Sequence, residues 1–253
     1  MTTYVIPKEQ MSLFTFDTPS MPKLNVSRCE TRTISYETVH TLIDAWHYTH
    51  RTPGTVHVAL GLYVDQVLAG AITYTPFKFN NIRAAVCGNT YKYAVRELSR
   101  LFIYDWCGRN TESWFIAQSF RHLRTLHPHI RILVSYADSG QNHQGYIYQA
   151  TNWLYTGMSQ AQSRQYVLPN GETRFRQARQ FRSGARKDDD PLMSWDKIQN
   201  AYPGIRKAPG TRKHRYVYFL GSKSQRKTLR KSLRWPVLPY PKSRSTERRP
   251  DGP

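Results

Sequence analysis

The chain has 253 residues, which is enough for one large domain and excludes both a tandem repeat array and a small disulfide-stapled scaffold. Its 37 Lys and Arg residues against 17 Asp and Glu give a formal net charge of +20, so we expect a polyanionic partner, with nucleic acid ahead of a membrane surface. No apolar run approaches the roughly 20 residues of a membrane span, and the first residues lack the layout of a signal peptide. Three widely spaced cysteines indicate reduced thiols rather than a disulfide framework. We therefore expect a soluble cytoplasmic protein without a membrane partner.

The first half of the chain predicts an arm, a helix and a hairpin. Residues 1–34 contain scattered prolines and no sustained hydrophobic period, so they predict an extended arm with room for one short strand. SYETVHTLIDAWHY predicts an amphipathic helix, because Ser35 and Thr38 form a capping-box pattern and apolar residues follow at helical spacing. The β-rich runs VHVALGLYV and VLAGAITYTP, joined by Asp65 and Gln66, predict a hairpin.

Further elements complete the centre of the predicted fold. We interpret AVRELSRLFIY as a strand, because SWFIAQSFRHLRTL directly after it has clear helical spacing. IRILVSYAD is a short, almost continuous apolar run, which is typical of a buried strand. A short helix and an aromatic strand follow in YIYQATNWLYTG, and Asn170-Gly171 predicts a second hairpin.

These elements divide the chain into a core and a basic extension. The predicted α/β core spans residues 35–175. Residues 176–242 form the basic extension, with a short helix in SWDKIQNAYPG, a strand in HRYVYFLG and a cationic helix in KSQRKTLRKSLRW. Residues 243–253 predict a disordered tail, because a segment so rich in Pro, Ser and Arg has little to bury.

The order of elements resembles that of the GNAT acyltransferases, in which a V-shaped splay between the fourth and fifth strands admits the acyl donor. More narrowly, the chain resembles the Mom DNA-modification proteins of Mu-like phages, over the segments RELSRLFIYDWCGRNTESWFIAQS, ILVSYADSGQNHQGYIYQATNWLYTG and HRYVYFLGSKSQRKTLRKSLRWPVLPYPK. The resemblance covers residues 39–242 and implies a GNAT-like mixed central sheet with flanking helices. It also implies a phage-encoded enzyme of the host cytoplasm that converts adenine in double-stranded DNA to N6-carbamoylmethyladenine and shields the DNA from restriction.

The predicted turn before the donor-binding helix departs from the wider acyltransferase pattern. That pattern has several small residues, which let backbone amides approach a pyrophosphate, whereas the segment Cys107–Ser113 keeps a single glycine. Two donors therefore stay open: acetyl-CoA, by analogy with the fold, and an aminoacyl-tRNA such as glycyl-tRNA, which makes tRNA a second candidate partner. The candidate donor-binding residues are Gly108, Arg109, Asn110, Ser113 and Ser119.

Three candidate catalytic residues lie at the end of the predicted fifth strand and beyond it. Tyr148 matches the tyrosine that protonates the departing thiolate in many GNAT enzymes, and a phenol is suited to that role. Asp138 enters a polar loop, where a carboxylate can orient a base amine or take its proton. His143, in the same loop, is a candidate general base. Each of them also has a purely structural alternative, as a half-buried tyrosine, a loop-starting aspartate and a solvent-exposed histidine.

Other candidate catalytic residues lie on the first helix and the fourth strand. His47 and Tyr48 end the helix, at the acceptor side of such a cleft by resemblance, although His47 could simply complement the helix dipole. His47 and His50 are three residues apart, a spacing compatible with metal ligation, but no cysteine or carboxylate partner is identifiable, so we expect no metal. Glu97 and Arg100 are three residues apart in one strand, so we expect them on opposite faces of the sheet, with one of them in the cleft.

Basic residues are concentrated towards the end of the chain. Between residues 206 and 249 lie 15 of the 37 cations, against one acidic residue, Glu247. Phosphate contacts of this kind give sequence-independent affinity for nucleic acid. Because adenine N6 is paired inside a duplex, the base must also be flipped out and stacked on aromatic rings. The candidate stacking residues are Trp46, Tyr48, Trp106, Trp114 and Trp153. The candidate nucleic-acid contacts are Lys213, Arg215, Arg226, Lys227, Arg230, Lys231 and Arg234.

Two alternative functions stay open at this point. A GNAT acyltransferase acting on a protein or tRNA amine would bind CoA and be indifferent to duplex DNA. A non-catalytic nucleic-acid binding protein would use the same positive charge, and substitution of Asp138 or Tyr148 would then leave cellular DNA composition unchanged. The sequence makes no prediction of the oligomeric state.

Overall fold

The computed structural model describes residues 25–47, 51–141, 143–161, 163, 165–175, 179–181 and 192–241. Its helices are α1 Tyr36–Trp46, α2 Asn80–Cys87, α3 Thr111–Leu126, α4 Tyr146–Ala150, α5 Trp195–Ala201 and α6 Lys223–Lys231. Its strands are β1 Cys29–Thr33, β2 Val58–Val64, β3 Val67–Thr75, β4 Val95–Ile103, β5 Ile132–Asp138, β6 Leu154–Met158, β7 Gln165–Val167, β8 Thr173–Phe175, β9 Arg206–Lys207 and β10 Lys213–Phe219.

A mixed sheet of seven strands forms the centre of the protein, in the order β1-β2-β3-β4-β5-β10-β6. Strands β1 to β4 are antiparallel neighbours, β4 and β5 run parallel, and β10 is antiparallel to both β5 and β6. Strands β7, β8 and β9 form a separate small sheet. The predicted α/β class, with a mixed central sheet and flanking helices, is confirmed.

Local chemistry explains the elements that the sequence predicts correctly. The Ser35 hydroxyl accepts the Thr38 backbone N–H at 3.2 Å and so caps the start of α1. Asp65 and Gln66 both have positive φ, at 46° and 69°, which is the mirror-image turn that suits the twist of a two-residue hairpin. The helix α2 and the 3-10 turn Asn89–Ala94 were not predicted, because no regular hydrophobic period marks them.

The edges of the sheet differ from the predicted boundaries of the core. β1 lies within the predicted arm and pairs with β2 over its whole length. β10 lies within the predicted extension of residues 176–242, yet it fills the position between β5 and β6. The predicted boundary at residue 175 therefore falls inside the sheet-forming part of the chain. The predicted disordered tail, residues 243–253, lies outside the described residues.

Helices cover both faces of the sheet, and we name each face by one of its helices. On the α3 face, Leu133 and Ala137 of β5 pack in one buried cluster with Phe115 and Ile116 of α3 and with Tyr148 of α4. Side chains alternate along a strand, so the intervening residues of β5 point to the opposite face.

The opposite face, which we call the α6 face, is covered by α1, α2 and α6. Val134 of β5 and Val217 of β10 pack in a buried cluster with Val86 of α2 and Leu229 of α6. A further buried cluster of Val39, Ile43 and Ala59 joins α1 to the antiparallel strands on this face, and the partly buried Phe102 packs against it. The sheet is therefore buried between two helical layers, except where the helices leave its strands uncovered.

Helix α6 is attached to the sheet through one buried side chain. Leu229 is fully buried, and the remaining residues of the helix are exposed. We predict that Leu229→Ala lowers the free energy of unfolding by about 2–5 kcal/mol, because it leaves a cavity under the helix. Urea denaturation measures this loss. Lys227→Ala, on the exposed side of the same helix, should change stability by no more than about 0.5 kcal/mol. Equal effects of the two substitutions would contradict this account of α6.

Candidate active site

The central feature of the sheet is a wedge between β4 and β5. The two strands are paired only near their first residues, at Val95↔Ile132, Arg96↔Leu133 and Glu97↔Val134. Both strands continue, to Ile103 and Asp138, without further pairing to each other. Where the pairing stops, the Ser135 hydroxyl donates a hydrogen bond to the Leu98 carbonyl at 2.9 Å. The predicted splay between the fourth and fifth strands is therefore present, and Ser135 closes its narrow end.

A β-bulge lies in β4 next to the narrow end of the wedge. β3 residues Thr73 and Tyr74 pair with Arg100 and Leu98, so Ser99 is an extra residue in β4. The Ser99 hydroxyl lies 2.9 Å from the Thr73 hydroxyl and adds a side-chain link between the strands at this point. The bulge reverses the alternation of side chains in the rest of β4.

The bulge corrects one prediction. Glu97 lies two residues after Val95, which packs on the α6 face, and Arg100 lies two residues before Phe102, which packs against α1 on that same face. Glu97 and Arg100 were predicted on opposite faces because they are three residues apart. The extra residue between them places both on the α6 face, at the side of the wedge.

Tyr148 reaches the wedge from the α3 face. Its side chain is 7% exposed, and its hydroxyl oxygen lies 2.8 Å from the Ser135 hydroxyl oxygen. The Leu98 carbonyl can only accept a hydrogen bond, so Ser135 uses its single proton there and the Tyr148 phenol donates to Ser135. The structure thus places the Tyr148 phenol, a candidate proton donor, at the narrow end of the wedge.

Asp138 lies on the α6 face at the open end of β5. Its carboxylate forms an ion pair with Lys213, with 3.1 Å between Oδ2 and Nζ, and both side chains are about one fifth exposed. The same carboxylate accepts the Gly140 N–H at 3.0 Å. The exposed His143 donates its backbone N–H to the Asp138 carbonyl at 3.1 Å. These contacts orient Asp138 and hold the polar loop against the end of β5.

Arg215 is built into the same face. It lies opposite Tyr136 in the β5–β10 register, and its guanidinium donates to the Thr156 hydroxyl at 3.0 Å and to the Thr156 carbonyl at 2.8 Å. The guanidinium also lies 3.7 Å from the ring centre of Trp235. Burial lowers the pKa of Arg215 from its usual value. Lys213 and Arg215 therefore lie on the central sheet beside Asp138, and not on a separate basic extension.

The end of α1 approaches the open half of β4. His47 is 6% exposed, and its backbone N–H bonds to the Ile43 carbonyl at 3.0 Å, which ends the helix. The Arg100 guanidinium donates to the Arg51 carbonyl at 2.9 Å and links the segment after α1 to β4. His47 is thus a buried residue close to the wedge, whereas Tyr48 lies outside the described residues.

A cleft of about 470 Å³ opens on the α3 face, between the start of α3 and the end of α4. Three predicted donor-binding residues line it, together with residues of α4 and β10. These three are Arg109, Asn110 and Ser113. Ser119 does not line the cleft, because it is fully buried and its hydroxyl is bonded to Tyr74 and to the Ile116 carbonyl.

The start of α3 is open to an anion. Asn110, its N-cap residue, has a positive φ of 67° and makes no side-chain capping hydrogen bond, so it leaves the first helix N–H groups unclaimed. Gly108, with φ of 85°, supplies the turn before it. Such N–H groups, beside the Arg109 guanidinium in the cleft, fit a phosphate-bearing donor.

Aromatic rings line the approach to the wedge at the end of β4. Tyr104 contacts Trp46 of α1 at a ring distance of 6.1 Å and Trp106 at 6.4 Å. Trp46 and Trp106 were both predicted as stacking residues, and the structure brings them together through Tyr104. Trp153 is instead fully buried in the core, where its indole N–H has no hydrogen-bond partner among the described residues. Trp114 lines the cleft on the α3 face.

Three histidines that were not among the predicted site residues form a cluster. His57, His127 and His129 place ring nitrogens within 4.8 Å of one another. The Arg96 guanidinium donates to His57 Nδ1 at 2.8 Å, so the neutral His57 ring carries its proton on Nε2. This tautomer and the nearby positive charge disfavour a cation there. No sequence pattern predicted this cluster, because His57 lies far along the chain from His127 and His129.

Five of the residues predicted as nucleic-acid contacts lie on α6 or shortly after it, and all five are exposed to solvent. Among the residues that the structure describes, none of the five takes part in an ion pair. The five are Arg226, Lys227, Arg230, Lys231 and Arg234. They form a basic surface on the α6 face, the face that also carries Asp138.

Together, the fold and the wedge define an α/β protein whose central sheet opens between two parallel strands and carries polar side chains on both faces of the opening. The chain belongs to the Mom protein family, whose model matches residues 28–242. Methylcarbamoylase mom of Escherichia phage Mu is 29% identical over 125 residues, which are 49% of this chain and 52% of that protein. The chain thus matches about half the length of that relative.

Solved structures are similar at low identity. Spermidine N-acetyltransferase from Vibrio cholerae matches 76% of this chain and 94% of its own, with 8% identity and a TM-score of 0.42. A GNAT family acetyltransferase from Elizabethkingia anophelis with acetyl-CoA bound matches 76% of this chain and 99% of its own, with 11% identity and a TM-score of 0.40. Among the described residues, no helix has the length and hydropathy needed to cross a membrane.

Ser135 has a structural role that can be separated from that of Tyr148. We predict that Ser135→Ala lowers the free energy of unfolding by about 1–3 kcal/mol, because the buried Leu98 carbonyl loses its donor. Tyr148→Phe should cost no more than about 1 kcal/mol, since Ser135 still donates to that carbonyl. Urea denaturation of both variants tests the difference, and a more damaging Tyr148→Phe would contradict the proposed hydrogen-bond direction.

The histidine cluster predicts a loss of stability in acid. Burial lowers the pKa of His57 and of His127, and the neighbouring positive charges lower both further. The unfolded chain therefore takes up protons at a higher pH than the folded chain, and stability falls as the pH drops below the ordinary histidine value of about 6.5. His57→Gln keeps an acceptor for Arg96 and should weaken this pH dependence, measured as the change in Tm between pH 7.5 and 5.5. An unchanged slope would refute the assignment.

Proposed function

We propose that this chain is a transferase that modifies the exocyclic amine of adenine in DNA, with N6-carbamoylmethyladenine as the product. One structural observation gives this proposal its strongest support. In a chain of the Mom family, the wedge between β4 and β5 has a proton-bearing phenol on one face and an oriented carboxylate on the other. A group transfer from a donor to an amine needs both of these functions, one for the leaving group and one for the amine proton.

The donor would occupy the α3 face of the wedge. Arg109, Asn110 and Ser113 line the cleft beside the uncapped start of α3, which suits a phosphate-bearing molecule. The cleft lies on the same face of the sheet as Tyr148, and α4, the helix that carries Tyr148, ends at its rim. An acetyl group contains no nitrogen, so acetyl-CoA alone cannot supply the amide of a carbamoylmethyl group. A glycyl group has the required two carbons, oxygen and nitrogen, which favours an aminoacyl-tRNA.

The donor, the adenine, Asp138 and Tyr148 account for every bond and proton of the transfer step. Adenine N6 attacks the donor carbonyl, a C–N bond forms, and the bond from that carbonyl to the donor oxygen breaks. Asp138 takes the proton from N6, and Tyr148 gives its proton to the departing oxygen. In the ion pair, Lys213 keeps the Asp138 carboxylate turned in one direction. Removing either proton-transfer group should therefore reduce the rate while leaving the fold intact.

A glycyl donor gives a product with the same atoms as the proposed one but a different connectivity. N6-glycyladenine and N6-carbamoylmethyladenine are isomers. The first becomes the second when the glycyl amine attacks C6 and the original C6–N6 bond breaks, which turns N6 into the terminal amide. No atom is gained or lost in this rearrangement. The two isomers give different fragments, so tandem mass spectrometry separates them.

The adenine would approach from the α6 face. Trp46, Tyr104 and Trp106 line the open end of the wedge and can stack on a base that has left the duplex. The exposed cations of α6 lie on the same face and suit contacts with the phosphate backbone. Arg215, stacked on Trp235, adds a fixed positive charge beside Asp138.

The test is the nucleoside composition of DNA from cells that express the protein. We predict an adenosine carrying a carbamoylmethyl group with the native chain, and a loss of at least about a hundredfold with Tyr148→Phe or Asp138→Asn, since general acid–base groups contribute about 10²–10⁴ in rate. Tyr146→Phe, an exposed tyrosine of the same helix, is the matched control and should keep the modification.

Three outcomes separate the alternatives. An unaltered nucleoside profile from a folded native chain overturns the proposal. Modification of a protein or tRNA amine, with unchanged DNA, favours an acyltransferase of another substrate class. Unchanged DNA together with tight binding to duplexes favours a non-catalytic nucleic-acid binding protein.

A further inference from the structure

The connection between β3 and β4 is a basic segment that the catalytic proposal does not use. Residues 76–94 form α2 and a 3-10 turn, and the segment contains no acidic residue. A connection between antiparallel neighbours needs only a few residues, and part of this longer one covers the α6 face through α2. Its cations are Lys78, Arg83 and Lys92.

Two aromatic rings of this segment are turned to solvent. Phe79 is 55% exposed and Tyr93 is 63% exposed. Each has a lysine beside it: Lys78 Nζ lies 5.5 Å from the centre of the Phe79 ring, and Lys92 Nζ lies 5.0 Å from the centre of the Tyr93 ring. The same arrangement therefore occurs twice, an exposed ring with a cation at its face.

Other residues of the segment hold it to the protein, so the exposed rings are not needed for packing. Phe77, Val86 and Cys87 are buried in the cluster on the α6 face, and Tyr91 packs against it. The polar residues around the exposed rings are amide side chains that can bond to base edges. These exposed amides are Asn80, Asn81 and Asn89.

The segment adjoins the basic helix α6. The Cys87 thiol donates to the Leu229 carbonyl at 3.9 Å, and the Arg234 backbone N–H donates to the Val86 carbonyl at 2.9 Å. A Cβ on Gly88 would lie 3.0 Å from the Arg234 guanidinium, which shows how closely the two elements meet. The exposed rings and the α6 cations thus belong to neighbouring elements on one face.

We propose that Phe79 and Tyr93 form a stacking surface for bases of a locally opened DNA duplex, with Lys78 and Lys92 on the adjoining phosphates. The partner is nucleic acid, as in the proposed function on which this inference rests. Aromatic side chains stack on any base, and cations beside them favour a polyanion over an apolar protein surface. Such a surface stabilises the opened strands while one base is in the wedge.

The experiment uses the full chain and two duplexes, one fully paired and one with a single unpaired 2-aminopurine. For the opened duplex, the double variant Phe79→Ala/Tyr93→Ala should bind at least about fivefold more weakly than the native chain and should lose the quenching of 2-aminopurine fluorescence. Its affinity for the paired duplex should change much less. Leu126→Ala, which removes a 59% exposed side chain from the end of α3, is the matched control and should behave as the native chain.

A second variant tests the lysines. Lys78→Gln/Lys92→Gln should reduce the slope of log Kd against log salt concentration by about two units, one for each lost phosphate contact. The inference is overturned if the double aromatic variant binds and quenches the opened duplex as the native chain does, or if the native chain binds neither duplex.

The stacking surface and the proposed adenine modification can be overturned independently of each other. If the double aromatic variant binds normally and cells with the native chain still contain modified adenine, only the stacking surface is overturned. If the variant loses affinity for the opened duplex but native-chain cells contain unmodified DNA, the stacking surface is supported and the proposed chemistry is overturned.

Discussion

The hydrogen bond from Ser135 to the Leu98 carbonyl is the constraint on which the candidate site depends. Two parallel strands that stop pairing leave backbone groups without partners, and a buried carbonyl in that position is costly. Ser135 satisfies the first such carbonyl and at the same time holds the Tyr148 phenol at the same point. One side chain therefore allows the sheet to open and places a proton donor at the opening.

The two faces of the sheet separate the two halves of the proposed chemistry. The α3 face carries the cleft, the uncapped helix start and the phenol, which are suited to an anionic donor and its leaving group. The α6 face carries the Asp138 carboxylate and the exposed cations of α6, which are suited to an amine and to phosphates, and the aromatic rings lie at the open end of the wedge. The donor and the acceptor can thus enter from opposite sides and meet only in the wedge.

Much of the fold could be predicted from the sequence, because caps, turns and hydrophobic periods act locally. The hairpin at Asp65-Gln66 and the helix after Ser35 are examples. The shared face of Glu97 and Arg100 could not be predicted, because a bulge depends on the partner strand and leaves no periodic signal. The same holds for β10, whose place in the sheet is a matter of long-range pairing. Tyr148 was predicted through family resemblance and Asp138 from its place at the start of a polar loop, whereas their partners Ser135 and Lys213 became visible only in three dimensions.

The insertion of β10 between β5 and β6 has a consequence for synthesis and folding. Phe219 pairs with Ile132, so neighbouring strands of the sheet are separated by a long stretch of intervening chain. A nascent chain that has emerged only as far as β6 lacks the strand that joins β6 to the rest, and it exposes two unsatisfied strand edges. Contacts of such high sequence separation form slowly, so the central sheet can be completed only after β10 has left the ribosome.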